Sequence, residues 1–119
     1  MKNTIIFVIG VFFPLNVYSS ELLMVREHGC TWCEIWEEEI GNIYPKTQEG
    51  KFAPLKRVEI DEIQEIGKFN PQILYTPTFL LLSGGNEIGR IEGYPGEDFF
   101  WALLNQLLLK KTKYKETLE

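Results

Sequence analysis

Apolar and polar positions along this chain alternate with a period that switches from strand-like to helix-like and back. Residues 21–26 hold four consecutive apolar side chains, Leu22 to Val25, between Glu21 and Arg26, and read as a buried strand. From Thr31 to about Tyr44 the spacing is helical, with Trp36, Ile40 and Ile43 on one face. Pro45 ends or kinks that helix, because the residue before a proline is pushed away from helical angles. Residues 47–54, with Gly50 and Pro54, read as a loop, and 55–60 alternate as a strand does. Asp61 and Gln64 have the form of a capping box for a short helix over 62–68, ended by Gly67 and Asn70-Pro71. Residues 78–82 are apolar on both faces, as a central strand requires. A turn at 83–86 leads into an antiparallel partner over 87–92, and 93–96 breaks the chain again. The last helix is expected over 97–110, with Phe100, Leu103, Leu104, Leu107 and Leu108 inward and the aromatic run 99–101 in the core. The charged tail, 111–119, is expected to fray. Two strands joined through a helix are expected to be parallel. The last two form a hairpin, and helices cover both faces of an α/β sheet.

Composition narrows this picture. A chain of 119 residues that is 45% hydrophobic has enough apolar surface for one packed domain. With a formal net charge of −5, nothing in the chain is rich enough in Lys or Arg to suggest a nucleic-acid partner, and none is expected. The N-terminus has a different character. Lys2 precedes an apolar stretch over 5–15, broken by Gly10 and Pro14, and then small and polar residues to Ser20. This is the pattern of a secretory signal, with cleavage after Ser19. The expected division is therefore a signal peptide over 1–19 and a domain over 20–119, exported to the periplasm. The apolar stretch is short and interrupted for a membrane span, so contact with a membrane is expected only through an uncleaved signal.

The two cysteines of the chain stand three positions apart, in Gly29-Cys30-Thr31-Trp32-Cys33, between the first strand and the first helix. Outside the cytosol such a pair is either a staple or a working redox couple. A bridge over two residues closes so small a loop that it restricts the unfolded chain little, which favours the redox reading. The first cysteine falls where unpaired N–H groups and the positive end of a helix favour a thiolate. Glu34, Glu37, Glu38 and Glu39 crowd the following turns, as a solvated face or, more sharply, as charges opposing that thiolate. A copper carrier would use Cys30, Cys33 and His28. A closed zinc site wants four ligands, and covalent haem would need histidine where Glu34 stands. No metal and no cofactor are expected.

The order of elements, with C-x-x-C at the first strand-to-helix junction, resembles the thioredoxin superfamily. Tyr75-Thr76-Pro77-Thr78, ahead of Phe79 to Leu82, resembles the superfamily loop in which a cis-proline faces the motif. A narrower likeness, to small exported thioredoxin-related proteins of the SoxS-like group associated with bacterial sulfur oxidation, is carried by Gly29-Cys30-x-Trp32-Cys33, Tyr75 to Phe79 and Ile91 to Phe99. The resemblance implies a three-layer fold with a mixed sheet of about four strands flanked by helices. It implies a monomeric thiol–disulfide oxidoreductase with Cys30 attacking and Cys33 resolving, and with Thr31, Trp32, Thr76 and Pro77 meeting the substrate. Its partners would be protein thiols and disulfides, among them a membrane thiol–disulfide donor or sulfur-oxidation proteins. A catalytically quiet interaction module is the alternative. The chain also departs from the family. Thr31-Trp32 stands where ordinary thioredoxins have Gly-Pro. Met24 occupies the position of a buried aspartate that helps move the resolving thiol's proton, leaving that role to water or a carboxylate such as Glu27, or the step slower. Arg26 replaces an aromatic residue, either favouring a thiolate or serving as a surface charge. The absence of Pro-His between the cysteines and of a helical insertion points to a reductase rather than a strong oxidant.

Overall fold

The structure, a computed structural model, describes residues 19–117 and Gly10. All but two residues of the expected signal segment thus lie outside the described residues. Strand β1 (Ser20–Arg26) runs through the middle of the domain, parallel to β2 (Leu55–Glu59) on one side and antiparallel to β3 (Thr78–Ser83) on the other. Strand β4 (Asn86–Glu92) closes the hairpin on β3, giving the order β2-β1-β3-β4. The parallel pair, the hairpin and the mixed sheet of four strands are those expected from the hydrophobic pattern.

Period-two alternation along β1 and β3 divides the core. Leu22, Met24, Phe79 and Leu81 face one layer, and Leu23, Val25, Leu80 and Leu82 face the other. The first layer is closed by α1 (Thr31–Trp36), α2 (Gln48–Phe52) and α4 (Glu97–Lys111). The second is closed by a 3-10 turn (Ile60–Glu62), the four-residue α3 (Ile63–Ile66) and Ile73 from the following loop.

Five local expectations are corrected. The helix from Thr31 does not run on to Tyr44 as one α-helix. It widens into a π segment (Glu37–Gly41) and ends in a 3-10 turn (Tyr44–Lys46). The wider turn rotates the inward face, so Trp36, Ile40 and Tyr44 are buried, while Ile43 is 44% exposed. Residues 47–54 are not simply a loop but contain α2. Thr47 caps it by accepting the Gly50 N–H at 3.0 Å. Gly50 is a site of close approach rather than a breaker, since a Cβ there would collide with the Tyr44 carbonyl. Asp61 caps nothing, because it sits inside the 3-10 turn and α3 starts at Ile63 after an N-cap, Glu62, with no side-chain bond. On α4 the inward stripe is Phe100, Leu104 and Leu108, four residues apart; Phe99 and Leu103 are exposed. The tail does not fray at once. Tyr114 packs edge-on against Phe52, and the Gln48 side chain exchanges two hydrogen bonds with the Thr117 backbone.

Candidate active site

The site is built where β1 ends. Its last residues turn through Glu27, His28 and Gly29, and Gly29 adopts φ +76°, which only glycine reaches without strain. The Cys30 N–H closes the turn onto the Glu27 carbonyl at 3.2 Å. Cys30 is the N-cap of α1, with extended backbone, and its Sγ accepts the Cys33 N–H at 3.1 Å. The first helical bond, from the Glu34 N–H to the Cys30 carbonyl, follows at 3.2 Å. Cys30 and Cys33 are joined as a disulfide across one helical turn, Cα to Cα 5.2 Å. The two sulfurs are not equivalent. Cys30 is half-buried, whereas Cys33 is 4% exposed and belongs to the core beside Met24 and Trp36.

The second half of the site comes from the loop before β3. Thr78 pairs with Val25 and Glu92 pairs with Thr78, so the chain leaves β1 for Cys30, enters β3 from Pro77 and leaves β4 for Gly93 at one end of the sheet. The Thr76–Pro77 peptide is cis, as is Asn70–Pro71. Pro77 is buried, and its carbonyl accepts the Gly93 N–H at 2.7 Å, fixing the two loops to each other. The Thr78 hydroxyl donates to the Tyr75 carbonyl at 2.6 Å. The Thr76 hydroxyl donates to the Glu27 carboxylate at 3.4 Å and so ties this loop to the turn before Cys30. Thr31 and Trp32 lie exposed at the start of α1, with the indole 58% exposed. Leu74 and Tyr75 are exposed large apolar residues in the loop before Pro77; Tyr75 belongs to the motif noted in the sequence, whereas Leu74 went unremarked.

A cleft of about 310 Å³ beside the disulfide is lined by Cys30, Cys33, Glu27, Glu34, Glu37 and Glu38, with Arg26 and His28 at its border. The arginine and the carboxylates around it are not equally free. Arg26 pairs with Glu59 at 3.2 Å, which assigns it to the strand end rather than to the sulfur. Glu37 holds Arg57 through two bonds, at 2.6 and 2.8 Å, and these keep the guanidinium still more firmly protonated than usual. That pair joins residues twenty apart across the crossover, which no local pattern announces. Glu39 accepts the Tyr94 hydroxyl at 3.2 Å, and the Tyr94 phenol is pushed up to about 12, first by burial and then by that bond and the surrounding carboxylates. Glu34 and Glu38 are exposed and make no ion pair among the described residues, the solvated face expected of them. Among the described residues no three His, Cys, Asp or Glu side chains are grouped to hold a metal ion. His28 is an exposed turn residue.

No family model matches the chain, and no curated protein matches it. Solved structures do. The periplasmic thioredoxin SoxS from Paracoccus pantotrophus, in its reduced form, is 41% identical, with 75% of this chain and 95% of that one covered and a TM-score of 0.66. The thioredoxin NaTrxh from Nicotiana alata is 21% identical over 82% of this chain and 77% of that one, TM-score 0.60. The Malassezia sympodialis thioredoxin is 23% identical over 75% of each, TM-score 0.55. These last two share the fold. Identity at the level of SoxS, over nearly the whole of that protein, together with a Cys30–Cys33 pair closed at the N-terminus of α1, shows that the chain belongs to the thioredoxin superfamily and is a thiol–disulfide oxidoreductase.

Proposed function

We propose that the mature domain works in the periplasm as a monomeric reductase of disulfides in partner proteins, with Cys30 as nucleophile and Cys33 as resolving thiol. The observation that carries the assignment is the inequality of the two sulfurs. Cys30 is half-buried at a helix start where its Sγ already accepts a backbone N–H, and Cys33 lies behind it at 4% exposure. A hydrogen bond to sulfur and the helix N-terminus both favour the charged form that attacks. The Cys30 thiolate attacks one sulfur of a partner disulfide, the other partner sulfur leaves as a thiolate, and a mixed disulfide forms. Cys33 then attacks Cys30 Sγ, the mixed disulfide breaks, and the partner departs with two electrons and both of its thiols.

The surfaces around the pair fit an extended polypeptide. Thr76 offers backbone groups for strand-like pairing, Pro77 has no N–H and closes the floor, and Thr31 and the exposed Trp32 flank the entry. The reductase direction is supported by electrostatics. Glu27, Glu34 and Glu38 oppose a thiolate at Cys30, which disfavours the reduced form and makes the pair a better electron donor. The periplasmic location rests on the signal-like N-terminus and on SoxS being a periplasmic thioredoxin. Reducing power there comes from a membrane thiol–disulfide donor, and proteins of sulfur oxidation are candidate recipients. A Cys33→Ser variant is expected to accumulate covalent complexes that dithiothreitol releases. If only Cys30→Ser does so, the two roles are reversed, and a reduction potential near about −120 mV, the range of strong oxidants, defeats the reductase direction.

A further inference from the structure

β4 is an edge strand of the sheet, and its Arg90 stands opposite Leu80, on the aliphatic face. A long cationic side chain at a sheet edge ordinarily reaches water. Here it is 11% exposed. A β-bulge supplies its partner. Residues three apart on a regular strand point to opposite faces, but the register shifts between Leu81 and Leu82. Glu87, opposite Leu82, therefore shares a face with Arg90. Arg90 Nε and Nη2 each donate to the Glu87 carboxylate at 2.6 Å, and Nη1 lies 3.6 Å from Glu92. Nη2 also leaves the strand altogether and donates to the Pro71 carbonyl at 2.8 Å.

Pro71 begins the segment that ends at Pro77 beside the disulfide. The far end of that segment is fixed by the Gly93 N–H on the Pro77 carbonyl. Both anchors thus come from β4, one from a side chain and one from the residue that follows the strand. Between them Ile73 is buried in the aliphatic layer, while Leu74 and Tyr75 are exposed. Little else packs on the near end. A cavity of about 810 Å³ lies where Phe69 to Pro71 adjoin β4, and another of about 670 Å³, beside Glu27, borders Gln72 and Ile73. With open space on both flanks, the near end is held by the Arg90 contact. A buried ion pair can often be exchanged for apolar side chains of similar volume without loss of stability. The bond to Pro71 is what an apolar pair could not supply.

We propose that Arg90 is a positioning residue for partner recognition, holding the strap 71–77 in the form that meets an extended polypeptide. The proposal rests on the exchange function proposed above. A partner strand pairs with backbone groups of Thr76, and a strap fixed at both ends meets it already ordered. With the Pro71 end released, the strap must be ordered on binding, which weakens association. Arg90 lies on the face of the sheet away from the cysteines, so bond exchange at Cys30 and Cys33 does not depend on it.

Two reactions separate recognition from chemistry. Insulin turnover with dithiothreitol as electron source gives kcat and KM for a protein disulfide. Stopped-flow reaction of the reduced protein with dithionitrobenzoate reports the cysteines on a disulfide too small to use the strap. Glu87→Met/Arg90→Met removes both charges together and leaves neither buried alone. It is expected to raise KM for insulin about tenfold, the worth of one hydrogen bond from a charged donor, with kcat and the dithionitrobenzoate rate within about twofold of wild type. Arg90→Lys keeps a charge against Glu87 but lacks the planar fork that serves Glu87 and Pro71 together, so a rise of roughly threefold is expected. That variant decides the matter if the double variant does not fold. An unchanged KM in the folded variants overturns the proposal. Equal losses in the two reactions make Arg90 a support of the fold alone and overturn it as well. A wild type that reacts with neither disulfide defeats the exchange reading itself, and this proposal with it.

Discussion

The two faces of the sheet are covered very differently. On the face that carries the cysteines, three rings interlock: Trp36 lies 5.0 Å from Phe79 and 5.7 Å from Phe100, and Phe79 lies 4.9 Å from Phe100, between centroids. Tyr44 and Trp101 stack beside them at 6.0 Å. The buried side chains of the other face are all aliphatic, with Leu23, Val25, Leu80 and Leu82 under Ile63, Ile73 and Val58, a single half-buried aromatic, Phe69, at their edge, and no helix longer than α3. Aromatic side chains bury more area each and fix one another's orientation. The helix holding Cys30 and Cys33 is therefore bolted to the stiffer layer, while the segments that lead to Pro77 and border the cavity beside Glu27 belong to the thinner one. A redox site needs both. The sulfurs must stay within bonding distance in two oxidation states, and the loop opposite must accept chains of differing shape.

Removing one side chain from each layer tests this most strongly. Phe100→Ala is expected to cost about 3–5 kcal/mol and Ile63→Ala about 2 kcal/mol, the lower end for its type, because a short turn at the surface can settle into the space. Urea unfolding of the oxidised proteins measures both. Equal losses, or a larger one at Ile63, would mean that the load is shared evenly.

A smaller effect probes whether α2 contributes to the aromatic layer. Its N-cap Thr47 bonds the Gly50 N–H and also donates to the Tyr44 carbonyl at 2.7 Å, and the Tyr44 hydroxyl in turn donates to the Ala53 carbonyl at 2.7 Å. Thr47→Ala is expected to lower stability by about 1 kcal/mol, with the same slope on urea. No loss in the same titration would show that Tyr44 holds its place without the helix.

These same residues mark how far the sequence could be read. The strands were legible because Leu22 to Val25 and Phe79 to Leu82 have no other stable use, and the site was legible because Cys30, Cys33 and Pro77 each carry a strong local signal. What escaped depends on partners distant in the chain. After the π segment it is Tyr44 rather than Ile43 that meets Trp101. Gly50 read as part of a loop because its role is set by the Tyr44 carbonyl. Glu37 and Arg57 meet only after the crossover is made, and Glu27 meets Thr76 only because β1 and β3 pair. Tyr114 reads as a tail residue until Phe52 is in place.

The smallest expected effect lies at the rim of the aromatic layer, where it adjoins the site. Tyr94 follows Gly93, whose N–H is bonded to Pro77, and its ring packs edge-on to Phe100 at 6.2 Å. Its phenol, ordinarily ionising near 10, is pushed up to about 12 by burial first, then by the bond to Glu39 and by the charges of Glu39, Glu97 and Asp98. The unfolded chain therefore releases this proton before the folded one does. The resulting stability is complete below pH 10 and is lost as pH rises from 10 towards 12. Tyr44 and Tyr114, also raised by burial, act with the same sign, so Tyr94→Phe should remove only part of the alkaline loss. Urea midpoints of wild type and Tyr94→Phe near pH 9 and near pH 11 measure that part. A variant that loses as much as wild type would place the whole alkaline sensitivity deeper, at Tyr44 and Tyr114. The rim beside Pro77 would then be electrostatically part of the soft loop rather than of the stiff layer.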